Sequence, residues 1–377
     1  MLTKTPISPM TFIKQLIKKE VNTMRIKVKR ESLKKVLDSA VEVAESKNTL
    51  PVLQHVLFSA NGNLRISATD LELSFTHTTP AEIEKPGSIC LPARKLLQIV
   101  KELPEEDVVL EEEKNFRIKI LCGRGEFRLL GLPEEDFPQP QLEVKPQGQV
   151  SSKDFIQALR LTVFAVSDDE YRRNLNGVYI GKGEIAGTDG HRLSRVIVHE
   201  LTLPEGVIIP KKGAVSLIKL FDDEEELLWT RDKNHLIISS KEKTLAVRLI
   251  DAEFPNYSSV TNISGTTLYL SLSSLKKELE LARAVGSQWI KIVGRGKELE
   301  ILASSRMDDS QMQSILTTLE GSWEGEIGFD TRYLLEPLRF GKEDWTVELT
   351  LSSKDEPCQL KFTEDPYFQY VVMPMRI

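Results

Sequence analysis

The sequence predicts an α+β protein made of three copies of one domain. Three observations support this. An amphipathic helical pattern opens each third of the chain, further markers recur in the same order at the same period, and alternating apolar residues lie between the helices. Runs of strands with two helices in each copy are typical of antiparallel sheets in α+β domains. The length of 377 residues fits two to four domains.

The first element of each copy is a short strand followed by an amphipathic helix. The helical patterns start near Ser32, Ser152 and Ser273, which are 120 and 121 residues apart. A serine hydroxyl accepts a hydrogen bond from an unpaired N–H of a first helical turn. The pattern therefore predicts these three serines as N-caps.

The later elements repeat in the same order. Thr69-Asp70 and Thr188-Asp189 are 119 residues apart, Pro92 and Pro210 are 118 apart, and Phe137-Pro138 and Phe254-Pro255 are 117 apart. Phe329-Asp330 is a weaker third copy of the proline marker. Such spacing predicts three domains rather than a solenoid, whose repeats are much shorter.

Alternation and turn residues define the other elements of the first copy. The turn signal Asn61-Gly62-Asn63 precedes predicted strands at Leu64–Ala68 and Leu71–Phe75. A second helix is predicted over Pro92–Leu103, with proline in its first turn. Two closing strands surround Gly123-Arg124-Gly125.

The net charge of −6 argues against a protein that holds nucleic acid by overall positive charge, because such affinity requires Lys and Arg to neutralise phosphates. The predicted helices nevertheless carry many basic residues, among them Lys34, Arg94, Lys211 and Arg332, whereas acidic runs lie elsewhere. These helices are either ordinary solvated faces or a positive concave wall that contacts phosphates without reading bases.

Several classes of protein are disfavoured. No apolar run approaches the roughly 18–20 residues that span a membrane, and residues 1–23 do not resemble a secretory signal. Cys90, Cys122 and Cys358 lie far apart, which fits a reducing cytoplasm better than a disulfide framework or zinc site. No metal site, cofactor motif or catalytic motif is expected.

Two segments leave alternatives open. Thr188-Asp189-Gly190-His191-Arg192 is either a structural or recognition turn, or an Asp189/His191 acid–base pair that lacks a marked nucleophile. The end of the chain, from Tyr370 to Ile377, is either a packed terminal strand or a segment whose adaptable methionines line a binding surface.

Motifs along the chain carry a resemblance to a known family. They are Thr49-Leu-Pro-Val-Leu53, Ala68-Thr-Asp-Leu-Glu72, Pro92-Ala-Arg-Lys95, Asn176-Gly177, Ala186-Gly-Thr-Asp-Gly-His-Arg-Leu193, Phe254-Pro-Asn-Tyr257 and Met373-Pro-Met-Arg376. From Met24 to Ile377 the chain resembles the bacterial β sliding clamps, the processivity subunits of DNA polymerase III.

The resemblance implies an α+β fold of three DNA-clamp domains, at 24–144, 145–266 and 267–377. Two chains would close head to tail into a ring with helices lining the hole and sheets outside. The ring would encircle duplex DNA, tether the polymerase and have no enzymatic activity. Two alternatives remain: a clamp-like interaction scaffold without ring closure, and an enzyme that uses Asp189 and His191.

The resemblance also implies site residues. The family's DNA-contacting positions fall at Lys47, Arg94, Lys101, Arg173 and Asn174. The family often has aromatic residues at the last two, and an amide where this chain has Asp169. An Arg at 173 is compatible with phosphate contact, whereas Asp169 does not assist it.

The family's pocket for short linear peptides of polymerases and the clamp loader implies a larger set. It falls at Leu175, Thr188, Gly190, His191, Arg192, Leu193, Pro255, Val260, Val372, Met373, Pro374, Met375 and Arg376. Ser259 stands where many members have Arg, so a charge that faces the peptide is expected to be missing.

The implied dimer contact joins Arg117 and Arg124 of one chain to Val285 and residues 308–316 of the other. That outer strand lacks the run of Glu that family dimers often use, so the contact is expected to be more apolar or weaker. Residues 1–23 lie outside the resemblance, either because Met24 is the true start or because a basic amphipathic extension was added.

Overall fold

A computed structural model describes residues 23–44, 50–138, 145–203, 205–305 and 307–376. The chain divides into two compact units, each treated by itself below. The first contains the described residues up to Lys145 together with Ile237–Val247, and the second contains Pro146–Leu236 and Arg248–Ile377. Within the described ranges, no helix has the length and apolarity needed to cross a membrane.

The first copy is a strand, a helix and then strands that surround a second helix, as predicted. Its helices are α1 (Arg30–Val41) and α2 (Ala93–Glu102). Its strands are β1 (Arg25–Lys29), β2 (His55–Asn61), β3 (Asn63–Thr69), β4 (Leu73–Thr79), β5 (Glu82–Lys85), β6 (Gly87–Pro92), β7 (Asp107–Glu113), β8 (Arg117–Cys122) and β9 (Gly125–Leu130).

The second copy repeats this order. Its helices are α3 (Ser152–Val163) and α4 (Lys211–Phe221), and a four-residue helix, α5 (Ser258–Thr261), follows them. Its strands are β10 (Gly148–Ser151), β11 (Gly177–Gly181), β12 (Glu184–Thr188), β13 (Arg192–Ile197), β14 (Val207–Pro210), β15 (Glu226–Arg231), β16 (His235–Ser239) and β17 (Lys243–Arg248).

The third copy is the most divergent in sequence and keeps the same plan. Its helices are α6 (Leu272–Ala284) and the short α7 (Thr331–Leu335). Its strands are β18 (Thr266–Ser271), β19 (Trp289–Gly296), β20 (Glu298–Ser304), β21 (Gln311–Thr317), β22 (Trp323–Asp330), β23 (Thr346–Leu351), β24 (Cys358–Phe362) and β25 (Asp365–Val372).

The strands form antiparallel sheets. In the first unit, one sheet has the order β5-β1-β7-β8-β9, and another runs β17-β4-β3-β2-β6. In the second unit, an eight-stranded sheet has the order β14-β11-β12-β13-β25-β24-β23-β18, and a four-stranded sheet has the order β21-β20-β19-β22. The pairing of β13 with β25 places Leu193 opposite Val371 and so joins the second copy to the third.

The helices pack on the sheets through one apolar face. In α1 this face consists of Leu33, Val36, Leu37 and Ala40, which are buried at the spacing of successive helical turns. The two helices of each copy also contact each other: α1 with α2, α3 with α4, and α6 with α7. The amphipathic patterns of the sequence therefore correspond to real helices.

The predicted N-caps are wrong by one to three residues. Helix α1 begins at Arg30 directly after β1, so Ser32 lies inside its first turn and Lys29 is the N-cap. In α3 and α6 the caps are Ser151 and Ser271, whose hydroxyls accept hydrogen bonds from Asp154 N and Ser274 N at 3.4 Å. Each strand continues directly into its helix, and this moves the start of the helix upstream.

The Thr-Asp marker is the same structural turn in two copies. Thr69 Oγ1 donates to Leu73 O at 2.7 Å and accepts from Leu71 N at 3.1 Å, and Thr188 Oγ1 makes the matching bonds to Arg192 O and from Gly190 N. Leu71 has a φ of +77°, which ends the extended backbone, so β4 begins at Leu73 and not at Leu71 as predicted.

Candidate functional site

A rigid turn between β12 and β13 is the centre of the site. The Asp189 carboxylate accepts from His191 N at 2.9 Å and from Arg192 N at 3.1 Å. Such side-chain acceptors replace the backbone partners that a tight turn lacks. Gly190 at the tip has a φ of +91°, a conformation that costs other residues energy.

Arg172 lies over this turn. Its Nη1 donates to Asp189 O at 3.1 Å, and a Cβ built on Gly190 would lie 3.0 Å from its Nη2. A side chain at position 190 would therefore push the guanidinium away. Arg172 is exposed, so it places a positive charge at the mouth of the site.

Arg192 has its hydrogen-bonding groups engaged by the protein itself. Its Nε donates to Asp189 Oδ2 at 3.0 Å, its Nη1 pairs with Glu336, and its Nη2 donates to Phe164 O at 2.8 Å. The guanidinium also lies over the ring of Tyr333, 4.4 Å from the centroid. With 8% of its surface exposed, Arg192 joins the second copy to the third.

An apolar cluster forms the floor beside the turn. Ala186, Leu193 and Val371 are buried on adjacent strands of the eight-stranded sheet, and partly buried side chains such as Phe254 and Val260 pack against them. The rings of Tyr179, Phe254 and Tyr257 contact one another at centroid distances of 5.2 to 6.4 Å. The cluster thus forms a contiguous apolar surface, of the kind that lines ligand sites.

The segment from Pro255 to Thr261 forms one wall. Tyr257 is the residue before α5, and its hydroxyl donates to Glu184 Oε1. Burial raises the pKa of Tyr257 above its ordinary value, and the hydrogen bond to the Glu184 carboxylate raises it further. The phenol therefore stays protonated and remains a donor to Glu184 at neutral pH.

The tail after β25 bounds the site at the turn. Met373 N donates to His191 O at 2.8 Å, and two residues later Met375 N donates to Gly328 O of β22 at 2.9 Å. The side chain of Met373 is 38% exposed. The tail is thus held at two points, one of them on the turn.

The turn, floor, wall and tail enclose a depression of about 310 Å³. The sequence-predicted residues that the structure brings together here are Leu175, Thr188, Gly190, His191, Arg192, Leu193, Pro255, Val260 and Met373, joined by Asn174 from the predicted DNA-contacting set. Four further lining residues were not predicted: Arg172, Asn256, Tyr257 and Val371.

Some of these could have been found. Asn256 and Tyr257 directly follow Pro255 in a recurring motif, and alternation along β25 puts Val371 on the face opposite Tyr370 and Val372. The remaining predicted residues lie elsewhere: Val372 is buried inside the sheet, Pro374 is half-buried in the tail, and Met375 and Arg376 line a separate depression with Lys291 and Asp355.

The predicted DNA-contacting residues lie on helices or next to one. Arg94 and Lys101 are on α2, where Lys101 Nζ pairs with Asp38 of α1 at 2.9 Å. Arg173 and Asn174 lie in the single 3-10 turn Arg173–Leu175, with Arg173 exposed. Lys47 lies outside the described residues.

The predicted dimer residues lie at sheet edges and a helix end. Arg117 begins β8 and Arg124 is in the turn to β9, which is the edge strand of its sheet. Val285 follows α6, and residues 308–316 include most of β21, an edge strand of the four-stranded sheet. Apolar side chains are exposed on both edges: Leu130 at 65% and Ile315 at 62%.

The geometry speaks against catalysis by Asp189 and His191. The Asp189 carboxylate is committed to two backbone N–H groups and to Arg192, so it orders the turn and does not orient the His191 ring. Within the described parts of the chain, no group of three or more His, Cys, Asp or Glu residues could hold a metal ion.

Three antiparallel α+β copies with one site built on a structural turn define a protein of the DNA-clamp class. Family models match nearly the whole chain: the DNA polymerase III beta subunit N-terminal domain at residues 24–142, its central domain at 149–256 and its C-terminal domain at 264–376.

Curated relatives and solved structures agree with the family models. The beta sliding clamp of Pseudomonas putida is 31% identical over 374 residues, which cover 94% of this chain and 100% of the relative, and that of Rickettsia bellii is 29% identical. The crystal structure of the Caulobacter crescentus clamp has a TM-score of 0.87 and 28% identity, covering 94% of this chain and 100% of the other. A Bartonella birtlesii sliding clamp bound to griselimycin matches with a TM-score of 0.87, 29% identity and the same coverage.

The chain belongs to the bacterial beta sliding clamp family, the DNA polymerase III beta subunits. It is a processivity subunit of that polymerase and not an enzyme, so the hypothesis of an Asp189/His191 catalyst is wrong. The resemblance inferred from the sequence motifs is confirmed, as is the α+β fold of three clamp domains.

Proposed function

We propose that this clamp closes head to tail as a homodimer around duplex DNA and that the depression beside Gly190 binds short extended peptides of polymerase and clamp-loader subunits. The depression is the main support for peptide binding, because it combines an apolar floor with an exposed cation at its mouth. We assign the clamp domains to residues 24–144, 145–266 and 267–377, with 1–23 as an extension, and we expect the protein to work in the cytoplasm.

The floor fits apolar peptide side chains. Leu193, Val371 and Val260 present branched aliphatic groups, and Met373 can repack around different guests because its side chain is flexible. We expect Leu and Phe side chains to occupy this surface. A short peptide buries little area and is ordered on binding, so the dissociation constant should be on the order of micromolar.

Arg172 supplies the charge that the Ser259 position lacks. Arg172 lines the depression and is exposed. It makes its hydrogen bond through Nη1, so the other N–H groups of its guanidinium can contact a ligand at the mouth. Each guanidinium nitrogen of Arg192 makes a hydrogen bond within the protein, so we assign polar contact with the peptide to Arg172 and a structural role to Arg192. The Bartonella birtlesii relative, solved with griselimycin bound, supports a ligand site on this fold.

Phosphate contact is assigned to Arg94, Lys101, Arg173 and Asn174, with Lys47 as a further position. A ring retains DNA by topology, so these contacts need only be weak and independent of sequence. Such retention is compatible with the net charge of −6, because strong phosphate binding would oppose sliding.

The exposed edges of β9 and β21 support head-to-tail closure. An uncovered edge strand with exposed apolar side chains invites pairing with another chain. Pairing β9 of one chain with β21 of its partner would cover Leu130 and Ile315, and would bring Arg117 and Arg124 close to Val285 and residues 308–316.

Retention on DNA tests the proposal directly. Clamp loaded onto closed circular DNA should stay bound through gel filtration and should be lost once the DNA is cut with a restriction enzyme. Equal loss from both forms would refute encirclement. The solution mass identifies the alternative: a ring requires about twice the 42.7 kDa of one chain, and a monomer at micromolar concentration would favour the scaffold without ring closure.

A further inference from the structure

We propose that Glu184 and Arg195 are positioning residues of the peptide pocket, which hold its wall in place through a circuit of hydrogen bonds that begins and ends on the segment Tyr257–Thr261. Neither residue lines the depression. The inference rests on the proposed peptide-binding function and adds the device that keeps the site formed when no peptide is bound.

The circuit begins at Tyr257, the residue directly before α5. The Tyr257 hydroxyl donates to Glu184 Oε1, and the other carboxylate oxygen, Oε2, accepts from Arg195 Nε and Nη2, both at 2.5 Å. The Glu184 and Arg195 side chains are 17% and 27% exposed. Charge-assisted bonds in so sheltered a position are stronger than ordinary neutral ones.

The circuit returns to Thr261, the last residue of α5, through side chains of the third domain. Arg195 Nη1 donates to Gln369 Oε1 at 3.2 Å, and Gln369 Nε2 donates to Thr261 O at 2.7 Å. Gln359 on the next strand donates to the same carbonyl at 3.3 Å. The polar side chains of four adjacent strands, β12, β13, β25 and β24, thus hold the two ends of α5.

The wall requires such external support. Helix α5 has only four residues, its N-cap residue Tyr257 makes no side-chain cap bond, and its first residue is held locally by Asn256 Oδ1, which accepts from Ser258 N at 3.0 Å. A helix this short is not stable by itself. Its internal bonds are Val260 N to Tyr257 O at 3.0 Å and Thr261 Oγ1 to Ser258 O at 3.1 Å. The circuit fixes the residues before and at the end of α5, and Val260 lies between them in the pocket lining.

Pre-ordering has a consequence for affinity. A peptide that meets a formed wall does not have to order Pro255–Thr261 as it binds, and avoiding such an ordering cost increases affinity. Glu184 and Arg195 act only through Tyr257 and Thr261. Their loss should therefore loosen one wall while the turn, the tail and the ring edges stay as they are.

The test compares four full-length proteins: the wild type, Glu184→Gln, Tyr257→Phe and the double variant. Hydrogen exchange by mass spectrometry measures the wall without peptide. Fluorescence anisotropy measures binding of a labelled octapeptide that carries adjacent Leu and Phe. Tyr179→Phe is the matched control, because Tyr179 belongs to the same aromatic cluster and its hydroxyl has no hydrogen bond to any described residue.

Both single variants should accelerate exchange in residues 255–261 and lower peptide affinity by about tenfold, the usual scale for losing a hydrogen bond to a charged group. The double variant should be no worse than the more severe single one, because both break the same circuit. The dimer mass should be unchanged and the faster exchange should be confined to residues 255–261, which separates positioning from general destabilisation.

Three results would overturn the proposal: unchanged exchange in residues 255–261, affinity within twofold of wild type for Glu184→Gln, or an equal loss of affinity in Tyr179→Phe. Failure of the peptide-binding function itself would look different. In that case the wild-type protein would not bind the octapeptide at all, while the exchange measurement would still report whether the circuit holds the wall.

Discussion

The backbone N–H of Met373 donates a hydrogen bond of 2.8 Å to the carbonyl oxygen of His191, which fastens the end of the chain to the turn at the centre of the pocket. Because the N–H of Met375 bonds to Gly328 on another sheet, consecutive parts of the tail are anchored to different elements. The Met373 side chain is thereby directed by two backbone anchors and not by side-chain packing alone.

Deleting Met373–Ile377 should abolish binding of a Leu/Phe peptide while the dimer and the encirclement of DNA stay intact. The deletion removes both backbone anchors and one lining side chain, whereas the edges β9 and β21 are unchanged. Fluorescence anisotropy measures the peptide affinity. Gel filtration of the same sample, alone and loaded on circular DNA, measures the dimer and its retention on DNA. Unchanged affinity would mean that the peptide site lies elsewhere.

Single substitutions distinguish the two depressions that the tail borders. Met373→Ala should weaken peptide binding about fivefold to tenfold, because truncation of a central apolar contact usually costs about 1 kcal/mol or more. Met375→Ala and Arg376→Ala are matched controls, since those side chains line the depression with Lys291 and should leave affinity within twofold. The reverse order would place the peptide in that second depression.

The sequence predicted the features that depend on neighbouring residues or on a repeated spacing, namely the three copies and the turn at Gly190. The similar spacings of the serine, Thr-Asp, proline and Phe-Pro markers revealed the repeat, and Gly190 marked a position where the backbone needs a positive φ. It missed Arg172 and the circuit through Glu184, because those contacts join residues 11 to 174 positions apart in the chain. Hydrogen-bond partners of that kind follow from strand register, which alternation alone does not specify.

The predicted N-caps show the same limit at short range. Ser32 and Ser152 are plausible caps by residue type, yet the N-caps are Lys29 and Ser151, three residues and one residue earlier, because the preceding strands continue directly into the helices. Residue preference indicates that a helix begins nearby, whereas the exact first residue depends on where the sheet pairing ends.

Charge reversal at Arg173 should weaken DNA binding modestly. Arg173→Glu removes one exposed cation from the proposed contact set and adds repulsion, so affinity for a short duplex should fall severalfold at low salt and by the same factor for every sequence. Titrations at several salt concentrations should show a salt dependence reduced by about one phosphate contact.

Arg65→Glu is the matched control for this charge reversal. Arg65 is also exposed, but it lies on the sheet strand β3 and outside the proposed contact set. An equal effect of the two substitutions would indicate a general response to net charge and would argue against the proposed contacts.

Acidic substitutions at the two exposed edges should open the ring. Leu130→Glu and Ile315→Glu each place a charge where the proposed interface is apolar, and desolvating an unpaired carboxylate costs several kcal/mol. Analytical ultracentrifugation should show monomers at concentrations where the wild type is dimeric. Leu71→Glu changes a comparably exposed leucine at a turn and should leave the dimer intact; equal dissociation would exclude an interface specific to these edges.

His77 gives the first unit a pH-dependent stability. It is 1% exposed in β4, with its ring edge-on to Phe75 and no hydrogen-bond partner for Nδ1 among the described residues. The groups that face it are Lys243 on β17, Glu242 beside that strand and Lys35 on α1. Burial, reinforced by the positive charge of Lys243, lowers the pKa of His77 to about 4, and Glu242 only partly offsets this.

The folded protein should therefore lose stability as the pH falls from about 6.5 towards 4. In this range the unfolded chain binds a proton at His77 and the folded chain does not, so the neutral form contributes stability above pH 6.5 that has largely gone near pH 4. The full difference is about 3 kcal/mol. Urea unfolding of wild type and His77→Gln across this range measures it: the variant should show a pH dependence shallower by up to one proton, and parallel curves would show that His77 is not held neutral.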